Sequence, residues 1–318
     1  VRQGHEVTLF ASGDSRTNAE LISATPKALR LNPSVKDCLP YLVLQLEQLR
    51  QRVAEFDIVH FHSEYVHFPL ARVLGVKRTL TTMHGRLDLP DYKALFTEFS
   101  DAPLASISNH QRLPLAGATW VGTVYHGLPM NVCRFQPNPA GNYAAFLGRI
   151  SREKRPDRAI EIARRAGLKL RIAAKVDVAD QHYFRTRIEP LLSQPHVEFI
   201  GEISEEEKSD FLGNATAFLF PIDWPEPFGL ALIEAMSCGT PCIAWRAGSV
   251  PEVVDHGVTG WIVDSMEGAV DALRRISMFD RRAIRTRFEQ RFSAQRMAKD
   301  YVEIYTKLAG KDAGRAAA

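Results

Sequence analysis

ATAFLFPIDWPEPFGLALIEAMSCGTPCIAW, residues 215–245, contains two short apolar runs with a helical pattern between them. The runs ATAFLFPI and CIAW have the length and composition of buried strands. GLALIEAMSCG predicts a helix that follows the proline-containing loop DWPEPF and ends at Gly239. Strand, helix and strand in this order are typical of a parallel sheet flanked by helices. The segment therefore predicts an α/β protein.

The same alternation extends in both directions and forms two series. In the first series we predict a long helix at 37–56 and strands at 56–62, 78–85, 102–108 and 119–127. In the second we predict helices at 156–165 and 181–192 and strands at 143–150, 170–176, 197–203, 215–222, 242–245 and 260–263. The stretch 127–142, richer in proline and asparagine, is interpreted as the linker between two doubly wound units.

The predicted domains are 1–138 and 139–292, and the first of them begins in the middle of an element. VRQGHEVTLFASGD at 1–14 predicts the last turn of a helix, Val1 to Gln3, and then a strand at 6–10. An α/β domain should open with a strand and its following loop. We therefore expect an N-terminal strand and loop to be missing from this sequence.

Composition excludes several classes of function. The 318 residues are 45% hydrophobic and 24% charged, which suits two globular cores. A net charge of +3, from 40 basic and 37 acidic residues, is too balanced for a nucleic-acid-binding protein. No apolar run approaches the roughly 20 residues that span a bilayer. Four scattered cysteines favour reduced thiols in the cytoplasm, and Cys238 and Cys242 lack the partners of a zinc site.

Two capping-box spacings and one basic run add local predictions. Ser204 with Glu207, and Ser249 with Glu252, have the spacing of a helix N-terminus that is capped by its own side chains. The run at 274–291 predicts a solvated helical face, and the alternative is weak contact with an anionic membrane surface.

A second candidate region is LGRISREKRPDRAIEIA at 147–163, where a predicted strand is followed by a short basic loop and a helix. Arg149 and Lys154 lie in that loop, beyond the carboxyl end of the strand, where ligands of open α/β sheets bind. A guanidinium fork and a mobile ammonium suit a phosphate group. The alternative is a solvated basic loop.

The helix that starts after DWPEPF offers an anion site and two carboxylates. The N–H groups of residues 228–230 lie at its N-terminus, and Gly229 leaves the backbone open to a phosphate. Glu226 precedes the helix, whereas Glu234 lies roughly 7 Å inside it from Gly229. This layout suits a nucleotide-sugar. The alternative is that Glu226 interacts with the helix dipole and Glu234 is an exposed helical residue.

These motifs resemble a known family. GRIS-x-EK at 148–154, followed by PEPFGLALIEAMSCGTPCIAW and by GSVPEVVDHGVTGWIV at 248–263, is similar to the family-4 retaining glycosyltransferases of the GT-B fold. The resemblance implies two Rossmann-like domains that face a central cleft, with the donor held mainly by the C-terminal domain. It also implies that the C-terminal helix, 293–310, completes the first domain, which would bind the acceptor.

The resemblance implies a role for each matching residue. Arg149 and Lys154 would bind the diphosphate, and Glu234 would bind the ribose. Glu226, with the backbone of Phe228, Gly229 and Leu230, would bind the donor sugar.

A histidine of the first domain belongs to the same expectation. The family has a histidine near the transferred sugar, and His84 matches it at the end of a predicted strand. Most of the ten histidines are interpreted as structural or solvated, and Arg86 and Asp88 are weaker candidates for the acceptor side.

The expected function is that of a retaining, metal-independent glycosyltransferase of the hexosyltransferase type. It would use a nucleotide-diphosphate sugar as co-substrate and no cofactor, in the cytoplasm, with a saccharide, a lipid-linked molecule or a small molecule as acceptor. Nucleic acid is not expected as a partner. The alternatives are a catalytically inactive nucleotide-sugar-binding protein and a GT-B sugar-nucleotide epimerase or phosphorylase.

Overall fold

The computed structural model describes residues 1–73 and 78–313 as helices joined to parallel sheets. The chain divides into two compact units, Val1–Thr81 with the end of the chain from Tyr305, and Thr82–Ile304. The domain boundary predicted at residues 138 and 139 stays a prediction. Within the described ranges, no helix combines the length and the apolar composition that crossing a bilayer requires.

The first unit contains short strands that pair in parallel. Its helices and strands are β1 (Thr8–Phe10), β2 (Glu20–Ile22), α1 (Leu39–Arg52), β3 (Val59–Phe61), α2 (Phe68–Val73) and β4 (Thr79–Thr82), which ends at the unit boundary. β1 pairs with β2, and β3 pairs with β4. The helix predicted at 37–56 and the predicted strands of this region are confirmed in shortened form. The helical turn predicted at Val1 to Gln3 is wrong, because these residues form a non-helical turn, and β2 and α2 were not predicted.

The second unit contains the remaining elements, except that the part of α12 from Tyr305 onward belongs to the first unit. They are α3 (Tyr92–Glu98), β5 (Leu104–Ser106), β6 (Trp120–Thr123), β7 (Tyr143–Arg149), α4 (Pro156–Ala166), β8 (Lys169–Lys175), α5 (Gln181–Tyr183), α6 (Glu189–Leu192), β9 (Val197–Gly201), α7 (Glu205–Gly213), β10 (Ala217–Phe220), α8 (Leu230–Ser237), β11 (Cys242–Trp245), α9 (Val250–Val253), β12 (Gly260–Val263), α10 (Met266–Arg274), α11 (Arg281–Phe292) and α12 (Ala294–Ala313). A π-helical turn at Phe184–Ile188 interrupts the helix predicted at 181–192.

The six strands β7 to β12 form one parallel sheet in the order β9-β8-β7-β10-β11-β12. This is the doubly wound order in which the chain starts in the middle, builds one half of the sheet and then returns to build the other. The reversal falls between β7 and β10, whose register pairs Ala144 with Ala217 and Ala145 with Phe218. Loops that follow these two strands therefore leave the same edge side by side.

Alternate residues of the central strands pack on opposite faces of the sheet. Phe218 and Phe220 belong to a core with Leu232 of α8 and Phe288 of α11, whereas Leu219 faces the core that contains α4 and α10. Because both faces are covered by helices, every residue of β10 is buried. That double burial explains why the sequence of this strand is continuously apolar.

One predicted capping box is confirmed and the other is wrong. Ser204 Oγ accepts from the Glu207 N–H at 3.3 Å, and Glu207 accepts from the Ser204 N–H at 2.7 Å. Ser249 precedes α9 without such a bond, because the carboxylate of Glu252 points elsewhere. It accepts from the backbone N–H groups of Asn109 and His110, each at 2.7 Å, and from the Tyr125 hydroxyl at 2.9 Å.

The basic run at 274–291 is only partly the solvated face that its sequence predicts, since several arginines of α11 turn inward onto backbone carbonyls. Arg281 donates to the carbonyls of Gln136, Ala215 and Gly213 at 2.7–3.0 Å. Burial lowers the pKa of Arg281 to about 10. Arg285 donates to Ser237 O, at the end of α8, at 2.6 Å. These guanidinium groups stabilise carbonyls that neither helix nor sheet satisfies.

His67 is a buried titratable group in the first unit. Its ring stacks on Phe61 at 3.6 Å, and Nε2 bonds the Thr81 hydroxyl at 2.8 Å. Nδ1 has no hydrogen-bond partner in the part of the chain that the structure describes. Burial lowers the pKa of His67 to about 3, so the imidazole is neutral in the folded protein at pH 5.

Acid should destabilise the protein through His67. As the pH falls below about 6.5, the unfolded chain binds a proton at His67 that the folded chain does not bind. The free energy of unfolding should therefore fall by about 2 kcal/mol between pH 7 and pH 5 from this residue alone. Urea denaturation at both pH values should show a smaller pH dependence for His67→Leu than for the wild type. The exposed control His5→Leu should keep the wild-type dependence, and equal slopes for all three proteins would contradict the assignment.

Candidate functional site

The candidate site lies where the strand order of the six-stranded sheet reverses. The loops 150–155 and 221–229 follow β7 and β10 and leave the same edge of the sheet. They are joined by a hydrogen bond from the Asp223 N–H to the Glu153 carbonyl at 2.8 Å. In doubly wound sheets this crevice is the usual place for a ligand. The fold therefore brings together the two loops in which Lys154 and Glu226 were predicted to lie.

Lys154 and Glu226 form an ion pair across these loops. Lys154 Nζ contacts Glu226 Oε2, and Trp224 Nε1 donates to the same oxygen at 2.9 Å. Lys154 Nζ also lies 5.1 Å from the centroid of the Trp224 ring. Glu226 is only 8% exposed, so the pair is screened by water less than a surface ion pair. The two residues predicted to bind neighbouring parts of a donor are thus in direct contact.

Gly229 forms the entry to α8. It has φ +84° and ψ +64°, in the left-handed region, and its carbonyl accepts from the Leu232 N–H at 3.0 Å. A Cβ at Gly229 would lie 3.1 Å from Leu232 and 3.3 Å from the Phe220 ring, beside which Lys154 Nζ lies at 5.5 Å. The first N–H groups of the helix have no carbonyl one turn earlier to bond. The positive end of α8 therefore lies close to the Lys154–Glu226 pair.

The backbone at Gly248 packs closely against the backbone of Glu226. A Cβ at Gly248 would lie 2.3 Å from both the N and the O atoms of Glu226. The Ser249 N–H donates to the Glu226 carbonyl at 2.9 Å. This close approach of two backbone segments fixes Glu226 in the loop that precedes α8.

Arg149 is not joined to this pair. Its guanidinium contacts Glu153 and lies 3.5 Å from Asp180 and 3.7 Å from Asp177. The side chain is 45% exposed. Glu153, Asp177 and Asp180 together balance the charge of Arg149.

Glu234 lies inside α8 and is paired with a lysine of the preceding helix. Lys208 Nζ in α7 is 3.0 Å from Glu234 Oε1. The Glu234 side chain is 14% exposed, so it is not the solvated helical residue of the alternative interpretation.

His84 reaches the start of α8 through a second histidine. Its ring stacks on His126 with centroids 5.4 Å apart, and His126 lies edge-on to Phe228 at 5.0 Å. Burial lowers the pKa of His84, which favours a neutral imidazole at neutral pH. Arg86 pairs with Asp88 at 2.7 Å and lies 6.0 Å from the Trp224 ring centroid. His84 and Arg86 thus both approach the elements that carry Glu226.

A cavity of about 380 Å³ lies elsewhere in the second unit. Its lining residues are Asn109, Thr123, Tyr125, Gln290, Arg291, Arg296 and Asp300. Arg291 pairs with Asp255 and Arg296 pairs with Asp300. None of the predicted site residues lines it, and its two cations are already neutralised.

Three residues that shape the site were not predicted from the sequence. Trp224 carries a signal, since a tryptophan between two turn residues in a polar loop is unusual. Gly248 carries little signal, because a glycine in a turn has many explanations. Lys208 carries none, because it comes from another helix, 26 residues before Glu234.

Two family sequence models match this chain. Residues 1–120 match the family described as Glycosyltransferase Family 4, and residues 134–290 match Glycosyl transferases group 1. The chain belongs to the family-4 glycosyltransferases. The resemblance inferred from the sequence motifs is therefore confirmed.

Curated relatives of this family-4 glycosyltransferase match it over different lengths. N-acetyl-alpha-D-glucosaminyl L-malate synthase of Bacillus anthracis is 37% identical over 89 residues, which span 25% of this chain and only 23% of the relative. An uncharacterized glycosyltransferase of Methanocaldococcus jannaschii is 23% identical over 99% of this chain and 93% of the relative.

Solved structures establish the fold class. The crystal structure of Anabaena HepE in complex with UDP and glucose matches with a TM-score of 0.70 and 16% identity, over 90% of this chain and 86% of HepE. The predicted class, an α/β protein of the GT-B type with Rossmann-like domains, is confirmed.

Replacing Gly248 should lower the free energy of unfolding by more than its positive φ alone explains, because an added side chain would also displace the backbone of Glu226. Gly248→Ala should lower the free energy of unfolding by about 2 kcal/mol or more, because its Cβ would overlap the Glu226 backbone. Gly257→Ala is the matched control, since Gly257 also has a positive φ but its added Cβ would meet nothing nearer than 3.9 Å. The control should lose about 1 kcal/mol. Urea denaturation measures both, and equal losses would contradict the supporting role of Gly248.

Proposed function

We propose that this glycosyltransferase is a retaining, metal-independent enzyme of the hexosyltransferase type. It moves a sugar from a nucleotide-diphosphate sugar to an acceptor that is a saccharide, a lipid-linked molecule or a small molecule, in the cytoplasm and without a cofactor. The observation that carries the proposal is the Lys154–Glu226 pair beside the N-terminus of α8, at the reversal of the strand order. HepE, which shares the fold, was crystallised with UDP and with UDP-glucose, which supports this class of donor.

Charge complementarity supports the placement of the diphosphate. Lys154 has three N–H donors, so it can keep its contact with Glu226 and still donate to a phosphate oxygen. The N–H groups at the start of α8 supply further donors, and the helix dipole favours an anion there. Arg149, whose side chain is 45% exposed, joins the phosphate by turning from its half-buried carboxylate partners, because ion pairs that water reaches are weak.

The two carboxylates and His84 suit the remaining parts of the donor. Glu226 accepts hydrogen bonds from the hydroxyls of the transferred sugar, with the backbone of 228–230 beside it, and Glu234 accepts from the ribose hydroxyls. His84, with its lowered pKa, offers a neutral ring near the sugar. Each group thus matches the polarity of the donor part that it would contact.

The chemical step would use the same charges. As the bond between the anomeric carbon and the diphosphate oxygen lengthens, positive charge develops on the sugar and negative charge on the leaving oxygen. Lys154, Arg149 and the α8 N-terminus stabilise the negative charge where it forms. The acceptor hydroxyl then attacks from the same face, passes its proton to the departing phosphate, and the anomeric configuration is retained. We assign no nucleophilic role to Glu226.

Removing the proposed phosphate ligands should weaken nucleotide binding. Lys154→Met and Arg149→Met should each raise the Kd for UDP or GDP at least tenfold, which is about 1.4 kcal/mol. The control Lys169→Met changes an exposed lysine at the start of β8 and should leave the Kd unchanged. Isothermal titration calorimetry measures all four proteins, and unchanged affinity in both site variants would refute the assignment.

Glu226→Gln tests whether the chain is an enzyme or only a binding protein. The loss of a charge-assisted hydrogen bond to the donor sugar should lower the rate of sugar transfer or donor hydrolysis by about 10- to 100-fold. The affinity of the variant for UDP, which lacks the sugar, should fall by a smaller factor than its rate of turnover of UDP-glucose. Release of nucleoside diphosphate from a panel of UDP-, GDP- and ADP-sugars, with and without EDTA, measures this. Turnover by the variant at the wild-type rate would sink the assignment, and binding without turnover in the wild type would favour an inactive binding protein.

A further inference from the structure

The lysine that pairs with Glu234 is held in one place by two carboxylates. Lys208 Nζ lies 3.0 Å from Glu234 Oε1 and 2.7 Å from Glu205 Oε1. The Lys208 and Glu234 side chains are 18% and 14% exposed, whereas Glu205 is 72% exposed. Lys208 therefore has an inner partner inside the protein and an outer partner in solvent. These two partners can be changed separately.

The ammonium stays charged in this position. Burial by itself would lower the pKa of Lys208, but the hydrogen bonds and charges of Glu205 and Glu234 outweigh burial, and the pKa is raised. A permanently charged ammonium fixes the orientation of the neighbouring carboxylate more firmly than a neutral donor would.

We propose that Lys208 is a positioning residue that orients Glu234 for the recognition of ribose hydroxyls. The inference rests on the proposed function, in which Glu234 contacts the ribose. An ionised carboxylate has about four acceptor positions, and Lys208 occupies one of them on Oε1. Among the residues that the structure describes, no other side chain bonds this carboxylate, so its second oxygen and remaining lone pairs can receive the ribose diol in an orientation that the ion pair sets before the ligand arrives.

Charge balance gives Lys208 a second reason to be present. Glu234 lies roughly 7 Å along α8 from Gly229, where the diphosphate would bind. A lone carboxylate at that distance from a diphosphate would repel it through a half-buried region. Lys208 cancels this repulsion, so that the same pocket can hold both a carboxylate for the ribose and an anion.

This role predicts selectivity for the ribose. If Glu234 must be held by Lys208 to receive the diol, the loss of Lys208 should remove the preference for a ribonucleotide over its 2′-deoxy analogue. A lysine that only joined α7 to α8 would affect both nucleotides equally.

The experiment compares UDP with 2′-deoxy-UDP, and GDP with 2′-deoxy-GDP, by isothermal titration calorimetry on the whole chain. We expect the wild type to prefer the ribonucleotide at least tenfold. Lys208→Met should reduce this preference below threefold, and Lys208→Arg, which restores a charged donor, should recover most of it. Lys208→Gln is measured beside Lys208→Met so that the result does not depend on the folding of one variant. The control Glu205→Gln removes only the outer charge and should keep the full preference.

Glu234→Gln separates this inference from the proposed function. If Glu234→Gln loses the preference but both Lys208→Met and Lys208→Gln keep it within twofold of the wild type, the positioning role is overturned and the ribose site stands. If Glu234→Gln itself keeps the full preference, Glu234 does not bind the ribose, and both that assignment and the positioning role of Lys208 are overturned. Equal weakening of ribonucleotide and deoxyribonucleotide by the Lys208 variants would also overturn the inference.

Discussion

The parallel pairing of β7 with β10 is the constraint on which the candidate site depends. These strands are neighbours in space although the chain builds β8 and β9 between them, so the order of the sheet reverses at this pair. The helices that follow β7 and β10, α4 and α8, therefore pack on opposite faces of the sheet. A crevice opens between the two loops that lead to these helices. Lys154 from one loop and Glu226 from the other meet in the space that results. A change that shifted this register would separate the pair and leave both charges without their partner.

Charge pairing is the common feature of the groups assigned to the donor. Lys154 contacts Glu226, Arg149 lies among three carboxylates, and Lys208 holds Glu234. A half-buried charge without a partner would be unfavourable in the free protein, so each side chain is balanced before any ligand arrives. A phosphate or a sugar hydroxyl then has to share or replace a partner rather than enter an empty pocket. This exchange favours ligands whose charges and hydroxyls are arranged to match the positions of these side chains.

Much of this fold could be predicted because its strands are buried on both faces. β11 and β12 were predicted to the residue, since a buried parallel strand is a continuous apolar run between turn residues. β2 was missed because its three residues, Glu20 to Ile22, form no such run. The Ser249–Glu252 spacing gave a false capping box, because the spacing does not reveal that loops at 109–110 and at Tyr125 compete for the carboxylate. The motif likewise indicated Glu226 and Glu234 but not Trp224 or Lys208, whose contribution depends on which helices and loops become neighbours.

The inward arginines of α11 bond neutral oxygens, and such bonds respond to dissolved salt differently from the ion pairs of the candidate site. Arg281 makes its bonds to carbonyl and hydroxyl oxygens, and Arg285 adds a carbonyl at the end of α8. Bonds to neutral dipoles, sheltered from solvent, are weakened little by mobile counterions, whereas exposed contacts between opposite charges lose strength as the Debye length shrinks. Raising the ionic strength should thus leave the bonds around the C-terminal end of α8 intact, while it weakens the ion pairs of the solvent-accessible Arg149. The C-terminal end of α8 is thus held by a bond to a neutral carbonyl group, whereas its N-terminal end lies near ion pairs.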